Sequence, residues 1–562
     1  VELKQKAILT NIFYGMLTLI FLGSGIVMAW GQNPTIKKDT TQKKTNVSSP
    51  TVKTLPKTNT AKTPAKPNVT PNKQDKQAPK DSLSNLKSKQ DSLSTKKVSK
   101  DSLNTKKPPT PASSKKKKKK SSDAKPKSNN TTKDPKTTEQ KPPPPKEAPK
   151  HISPLGDDAP IPKDYVPQFN TIEQKNSDIL VSLFNQQTGS FKQMIKNPSK
   201  YKIQIIYTQV RRFADNRPQL RHHTYNLDTL EHFFPASMVK LPTCAMVLEK
   251  LNTLNIPGLD KYTHVQIKNG RYPCIKGNSK LEASKRFGYP TLAHYIKDAL
   301  VASGNVAFDR LYEFMGQREL NDKLHEKGYH SFVITQRYGS YCGLEENRHT
   351  PAMVFYKGDS VVYRQAEQTC RTEYRYKAKN NNTGEVSGRG LQYTYRNFAS
   401  LKDLHEVLLA IMMPMAVPKK QRFKLTKEDY QLLHKYMSML PTESKDPVYD
   451  RSWFIPTRMK YLYYGSNDNT PDPNIRIFNK VGLAHGFLID CAYVVDFEAK
   501  IEFFLSAVIC VKDNPNDANP EYFKDGMPFM KKLGQIIYEY EKTRKLKYPP
   551  DLSFYIHDYT KY

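Results

Sequence analysis

From about residue 165 onward, the chain alternates between a helical and a strand-like hydrophobic period. Apolar residues recur at helical spacing through "TIEQKNSDILVSLFNQQTG", which closes on a glycine and predicts a helix. "YKIQIIYTQV" alternates and is β-branched, so it reads as a strand. A helix opened by residues 235–237 follows. "TLAHYIKDALVAS", "VAFDRLYEFMG" and "LNDKLHEKGY" then predict a helical middle, and "SLKDLHEVLLAIMMP" and "TKEDYQLLHKYMSML" two further helices. "NIRIFNKVG", "GFLIDCAYVVDF" and "KIEFFLSAVICV" read as three consecutive strands, closed by a helix around "FMKKLGQIIYEYEKT". This order predicts an α/β fold of α+β type over 165–562. Its sheet is assembled from both chain ends and flanked by helices, with an all-helical lobe inserted between them.

Upstream the pattern disappears. Between Trp30 and Tyr165 there is no Phe, Trp or Tyr, and residues 33–150 hold 31 lysines and 9 acidic residues, +22 of the formal +36. Such text cannot bury enough apolar surface to offset its ordering entropy, so 32–164 is expected to be a disordered basic linker rich in Lys, Thr, Ser and Pro. "KDSLSNLKSK", "KQDSLSTKK" and "SKDSLNTKK" repeat within it, too polar and too short to form a solenoid. The linker is either a self-repelling spacer or an attractor of an anionic envelope polymer. No aromatic interleaves the lysines to stack on bases, so no nucleic acid is expected as a partner. Ahead of it, "AILTNIFYGMLTLIFLGSGIVMAW" follows Lys4 and Lys6 and is long enough to span a bilayer. Residues 1–31 read as a signal peptide or a membrane anchor, with the rest exported to the periplasm or cell envelope by the positive-inside rule.

All six cysteines lie in the foldable part. Cys244, Cys491 and Cys510 sit in apolar runs and read as buried thiols. Cys342 and Cys370 flank a polar stretch and are the expected bridge. No Cys/His spacing suggests a metal site, and no cofactor is expected.

Candidate chemistry begins in "FFPASMVKLP". Ser237 stands at the mouth of an apolar helix, where unsatisfied backbone N–H groups can face an oxyanion. Lys240 returns to the same face one turn later, within reach of the hydroxyl. A serine needs a base, and a lysine can serve if burial and neighbouring positive charge lower its pKa. A helix cap and a surface lysine explain the pair equally well, and the other Ser-x-x-Lys occurrences lie in the basic linker except Ser199 with Lys202, which precedes a strand. Ser303 and Asn305 fall at a break between two helices. Lys480 lies on a strand, followed by Gly482, which allows close backbone approach.

Taken in order, Ser237-x-x-Lys240, Ser303-x-Asn305 and Lys480-x-Gly482 resemble the penicillin-recognising serine hydrolases, the class A β-lactamases and penicillin-binding D,D-peptidases. The first two elements are 66 residues apart, and the resemblance covers about 170–545. It implies a β-lactamase/transpeptidase-like fold with a mostly antiparallel sheet. It also implies an acylated Ser237, Lys240 as its proton partner, Ser303 as a relay and Asn305 on the substrate amide. Lys480 would supply charge toward a substrate carboxylate, and the N–H groups of Ser237 and Leu483 would form an oxyanion hole. The expected substrate is a β-lactam or cell-wall peptide.

Three departures stand out. Val481 occupies the place of a hydroxyl residue, and no arginine follows in "GLAHGFLID". The Glu-x-x-Leu-Asn deacylation motif is missing, leaving Glu345 and Glu346 of "GLEENRHTP", beside Asn347, as the candidate water-activating bases. The 177 residues between Ser303 and Lys480 include a polar, Tyr-rich insert that would roof the cleft or decorate it. The alternative to an exported hydrolase is a non-catalytic cell-envelope protein that binds wall material with a degenerate site.

Overall fold

The computed structural model describes residues 153–155, 167–375, 396–511 and 521–561. The segment assigned to 1–31 and nearly all of the linker assigned to 32–164 lie outside them, as does 376–395 of the Tyr-rich insert.

The strands, in chain order, are β1 (Gln168–Phe169), β2 (Gln204–Arg212), β3 (Pro218–Tyr225), β4 (His264–Ile267), β5 (His349–Thr350), β6 (Met353–Lys357), β7 (Ser360–Gln365), β8 (Gln368–Thr369), β9 (Ile475–Ala484), β10 (Phe487–Asp496) and β11 (Ile501–Cys510). Both chain ends build the main sheet, in the order β1-β3-β2-β11-β10-β9. Every pairing in it is antiparallel except β1 with β3. The β9–β10 hairpin is in register from Ala484 opposite Phe487 to Ile475 opposite Asp496, which leaves β9 as an edge.

The three terminal strands read as near-continuous apolar runs because both faces of the sheet are covered. On β11, Phe503, Leu505, Ala507 and Ile509 enter a core shared with α1 (Asp178–Asn185), α2 (Gly189–Lys196) and the C-terminal helix Met527–Thr543. Phe504 and Val508 enter the other core, shared with the helical lobe. Each such fully buried side chain contributes about 1.5–3 kcal/mol relative to exposure.

The lobe is built from α3 (Lys240–Leu254), α4 (Leu292–Val301), α5 (Asn305–Met315), α6 (Gln317–Glu326), α7 (Leu344–Asn347), α8 (Leu401–Met412) and α9 (Lys427–Ser438). Ser400 caps α8 by accepting from the Asp403 N–H, and Thr426 with Asp429 forms a capping box on α9.

Several details differ from the sequence reading. The first predicted helix is confined to Asp178–Asn185, and α2, which opens at the Gly189 that was read as a terminator, follows it. β3 escaped the pattern because "PQLRHHTY" buries histidines and a threonine instead of aliphatic residues. The lobe also carries a small antiparallel sheet, β4-β6-β7, and part of the insert forms its outer strand β7.

The expected Cys342–Cys370 bridge is corrected to Cys274–Cys342, whose Cα atoms are 5.6 Å apart. Cys370 is instead a buried thiol that donates to the Thr372 carbonyl at 3.4 Å and packs with Val333, Tyr374 and Phe398. Cys244 and Cys491 are buried thiols, and Cys510 is a half-buried one.

Candidate active site

Phe233 and Phe234 anchor the chain ahead of the first motif, and Ala236 then takes a left-handed backbone (φ 48°) that turns it into the short 3-10 segment Ala236–Val239. Ser237 is partly exposed in that turn, while Ala236, Met238, Val239 and Lys240 are all buried. The long helix α3 begins at Lys240, so the lysine side chain starts inside the protein.

Ser303 and Asn305 lie where the sequence placed them, between α4 and α5, with Ser303 in the left-handed region (φ 60°). Lys240 Nζ donates to the Ser303 carbonyl, to Asn305 Oδ1 at 2.7 Å and to Ser303 Oγ at 3.3 Å. Three acceptors use all three N–H groups of an ammonium, so this is the geometry of the charged form. Lys480 reaches across from β9 and donates to Ser303 Oγ and to the Val481 carbonyl, both at 2.9 Å.

Burial pushes the Lys240 pKa down to about 7, against the opposing pull of Asp298 first and then Asp309. Lys480 is held well below the ordinary lysine value by burial, reinforced by the charge of Lys240. The depression a lysine base needs is therefore supplied to Lys240 by burial, against the charges that surround it.

Gly482 has a spatial reason. A Cβ there would lie 2.7 Å from the Pro235 carbonyl, 3.0 Å from Met238 Cγ and 3.3 Å from Ala236 Cβ. Its bare backbone lets β9 lie directly against the turn that carries Ser237. Leu483, next on this edge strand, is partly buried. Val481, the apparent loss of a hydroxyl, is 3% exposed and belongs to the core on the opposite face of the sheet.

The structure thus brings Lys240, Ser303, Asn305 and Lys480 into one hydrogen-bonded cluster, with Ser237 and Gly482 beside it. Among the described hydrogen bonds, none links Lys240 to Ser237; Ser303 and Asn305 take up the ammonium instead. Nor do the described contacts bring Glu345 or Glu346 to the cluster. Glu345 is largely exposed and meets His349 at 3.3 Å and Arg348 at 3.6 Å, and Glu346 folds back over Gly343. Asn347 is structural, bridging the Arg337 N–H and the carbonyls of Cys342 and Gly343.

Some contributors had no signal in the sequence. Tyr338 donates to the Ala236 carbonyl at 2.8 Å, and Lys240 Nζ lies 5.8 Å from its ring centre. Asp309 accepts from the N–H groups of Tyr338 and Gly339, and burial with the nearby Glu313 charge raises its pKa to about 6. Beneath them the buried pair Arg337–Glu313 (2.8 Å) secures the loop that follows.

The model of the β-lactamase enzyme family matches residues 192–540, well over half of the chain. The chain belongs to the β-lactamase enzyme family. All five motif residues of the cluster and its turn fall inside this match. None of the curated proteins matches it. Similar solved structures include a class A β-lactamase from Bacteroides cellulosilyticus (11% identity, 63% of this chain and 98% of that one, TM-score 0.34). A β-lactamase from Burkholderia phymatum is similar at 13% identity (64% and 98%, TM-score 0.36). So is an acyl-enzyme complex of a PBP-A variant with penicillin G at 12% identity (64% and 97%, TM-score 0.36).

Proposed function

We propose that this member of the β-lactamase enzyme family is an exported serine hydrolase that acts through an acyl-enzyme on an amide, either a β-lactam or a peptidoglycan-type peptide. The observation that carries the reading is the convergence of Lys240 and Lys480 on Ser303, with Asn305 accepting from Lys240, beside a turn whose one accessible hydroxyl is Ser237.

In this mechanism Lys240, once neutral, takes the Ser237 proton as Oγ attacks the carbonyl carbon. The negative oxygen of the tetrahedral intermediate is met by the N–H groups of Ser237 and Leu483. An edge strand leaves alternate N–H groups unpaired, and Gly482 allows that strand to approach. Ser303, bonded to both lysines, passes a proton to the leaving nitrogen as the C–N bond breaks. Asn305 contacts the substrate amide, and Lys480 offers its charge to a substrate carboxylate. Water then resolves the ester; Glu345 and Glu346, the bases the sequence offers for this step, stand outside the cluster. The Cys274–Cys342 bridge supports an oxidising compartment, and hence export to the periplasm or envelope.

The test is intact-mass measurement after incubation with a panel of β-lactams and small amide or ester probes. An adduct that is absent in Ser237→Ala supports the reading. No adduct on a folded sample with any probe replaces it with the non-catalytic wall-binding protein. Where turnover is seen, unchanged deacylation in both Glu345→Gln and Glu346→Gln removes those carboxylates as bases.

A further inference from the structure

The β2–β3 turn and the segment that follows the C-terminal helix enclose a cavity of about 570 Å³, a size that suits a small ligand. Its lining is cationic. Arg211 and Arg217 come from the turn and Lys545 and Lys547 from the segment, with Asp215 the only carboxylate among the described lining residues. Asp215 is engaged by Arg217 at 2.6 Å, and Arg212, also in the lining, is bidentate to the buried Glu502 with both contacts at 2.6 Å. Among the described residues no carboxylate pairs with Arg211, Lys545 or Lys547, and all three are exposed.

The walls of the cavity are fixed from both ends. Arg544 donates to the Val210 carbonyl at 2.9 Å and pairs with Glu541 at 2.7 Å, which ties the start of the segment to β2. At its far end Asp551 and Asn216 exchange two hydrogen bonds, at 3.0 and 3.2 Å. The aromatic residues of the lining seat cations: Arg217 lies 5.6 Å from the Phe213 ring centre and Lys547 5.3 Å from that of Tyr548. Cations held around one cavity repel one another, and a bound anion relieves that repulsion. The cavity is also remote from the nucleophile turn. Across the sheet Gln209 faces Phe503, Phe503 faces Val494 and Val494 faces Ile477, three strands from β2 and five residues short of Gly482.

We propose that this cavity is a second binding site, for phosphate groups carried by a small diphosphate ester or by a phosphate-bearing polymer. A phosphate presents close to two charges and a tetrahedral set of oxygens, so it meets cations from both walls at once. A carboxylate is satisfied by a single arginine fork. The polymer is one of the two sources because of where the chain enters the fold. Gln219, in the lining, donates to Gln168 Oε1 at 2.9 Å, and Gln168 opens β1, the first strand after the basic sequence of 33–150. A polymer held by those lysines would meet further cations at that entry point.

The test is residue-resolved lysine acetylation of the full-length protein at about 0.15 M salt, with inorganic pyrophosphate or long-chain polyphosphate, read by peptide mapping. Lys545 and Lys547 should react about fivefold more slowly with the anion, while the exposed Lys268 and Lys420 are unchanged. Protection by pyrophosphate assigns a small ligand, and protection by polyphosphate alone assigns a polymer. Arg211→Ala and Arg217→Gln should each raise the anion concentration needed by about tenfold, without altering any protection of Lys115 to Lys120.

In the wild-type protein, unprotected Lys545 and Lys547 with both probes overturn the proposal. Protection that is unchanged in both arginine variants overturns it equally, and equal protection by citrate at the same concentration overturns the phosphate assignment. None of these measurements involves Ser237, so their failure leaves the hydrolase reading standing.

Discussion

Lys240 and Lys480, which approach from different elements, share one acceptor: the Ser303 hydroxyl lies 3.3 Å from the first ammonium nitrogen and 2.9 Å from the second. With both lone-pair directions taken up by donors, the hydroxyl's own proton is the one it can hand on, which suits a relay to a leaving nitrogen. Ser303→Ala removes the relay and the shared acceptor without opening the core, since Ser303 is only partly buried. Its acylation rate constant, measured by the growth of the Ser237 adduct, is expected to fall by about 10²- to 10⁴-fold while the melting curve changes little.

The charge on Lys240 sets the pH dependence. Its pKa is depressed to about 7, mainly by burial. Below that pH the nitrogen is an ammonium with no lone pair for the Ser237 proton, and above it the amine is free. Acylation should therefore fall about tenfold per unit as pH drops below 7 and level off above it. A rate profile from pH 5.5 to 8.5 checks this, and a limb running the other way would remove Lys240 as the base.

Much of this architecture was legible because it rests on local pattern. Phe503 to Ile509 alternate between two cores, so the run shows its strand character without any knowledge of what covers it. Ser303 and Asn305 were visible because a helix ends before them and another begins. What stayed hidden depends on distant chain. Tyr338 meets Ala236 across 102 positions and Tyr449 meets Asp298 across 151, and neither tyrosine stands in a pattern that marks it. Val481 looked like a damaged site residue because its identity was readable and the face it points to was not. The Cys342 partner was misjudged for the same reason: the polar stretch flanked by Cys342 and Cys370 favoured that pair, but the fold brings up Cys274.

Gly482 is fixed by contact with a turn that cannot retreat. A methyl group there would press on the Pro235 carbonyl and Ala236, and Ala236 is held from behind by the Tyr338 hydroxyl. Gly482→Ala should destabilise the protein by about 1–3 kcal/mol by overpacking and displace the nucleophile turn. Thermal unfolding gives the first effect, and at least tenfold slower acylation the second. Tyr338→Phe removes only the clamp, at about 0.5–1.5 kcal/mol for one hydrogen bond. In the double variant the turn has room to yield, so the two stability losses should sum to less than their separate values.

The disulfide ties that clamp down further. It joins Cys274, in the loop after β4, to Cys342, four residues beyond Tyr338, across a sequence separation of 68. Closing a loop of that length in the unfolded chain stabilises the fold by about 4 kcal/mol on the chain-entropy account. Alkylation of the unfolded, unreduced protein should label Cys244, Cys370, Cys491 and Cys510, and peptide mapping should recover 274 joined to 342; a labelled Cys274 would refute the pairing. Cys274→Ser with Cys342→Ser should lower the melting temperature. Because the segment from Tyr338 to Asn347 is also held by Asp309 and Arg337, acylation should persist in this variant at a reduced rate. Complete loss of the adduct in a folded sample would mean that the bridge, rather than those buried contacts, sets the position of Tyr338.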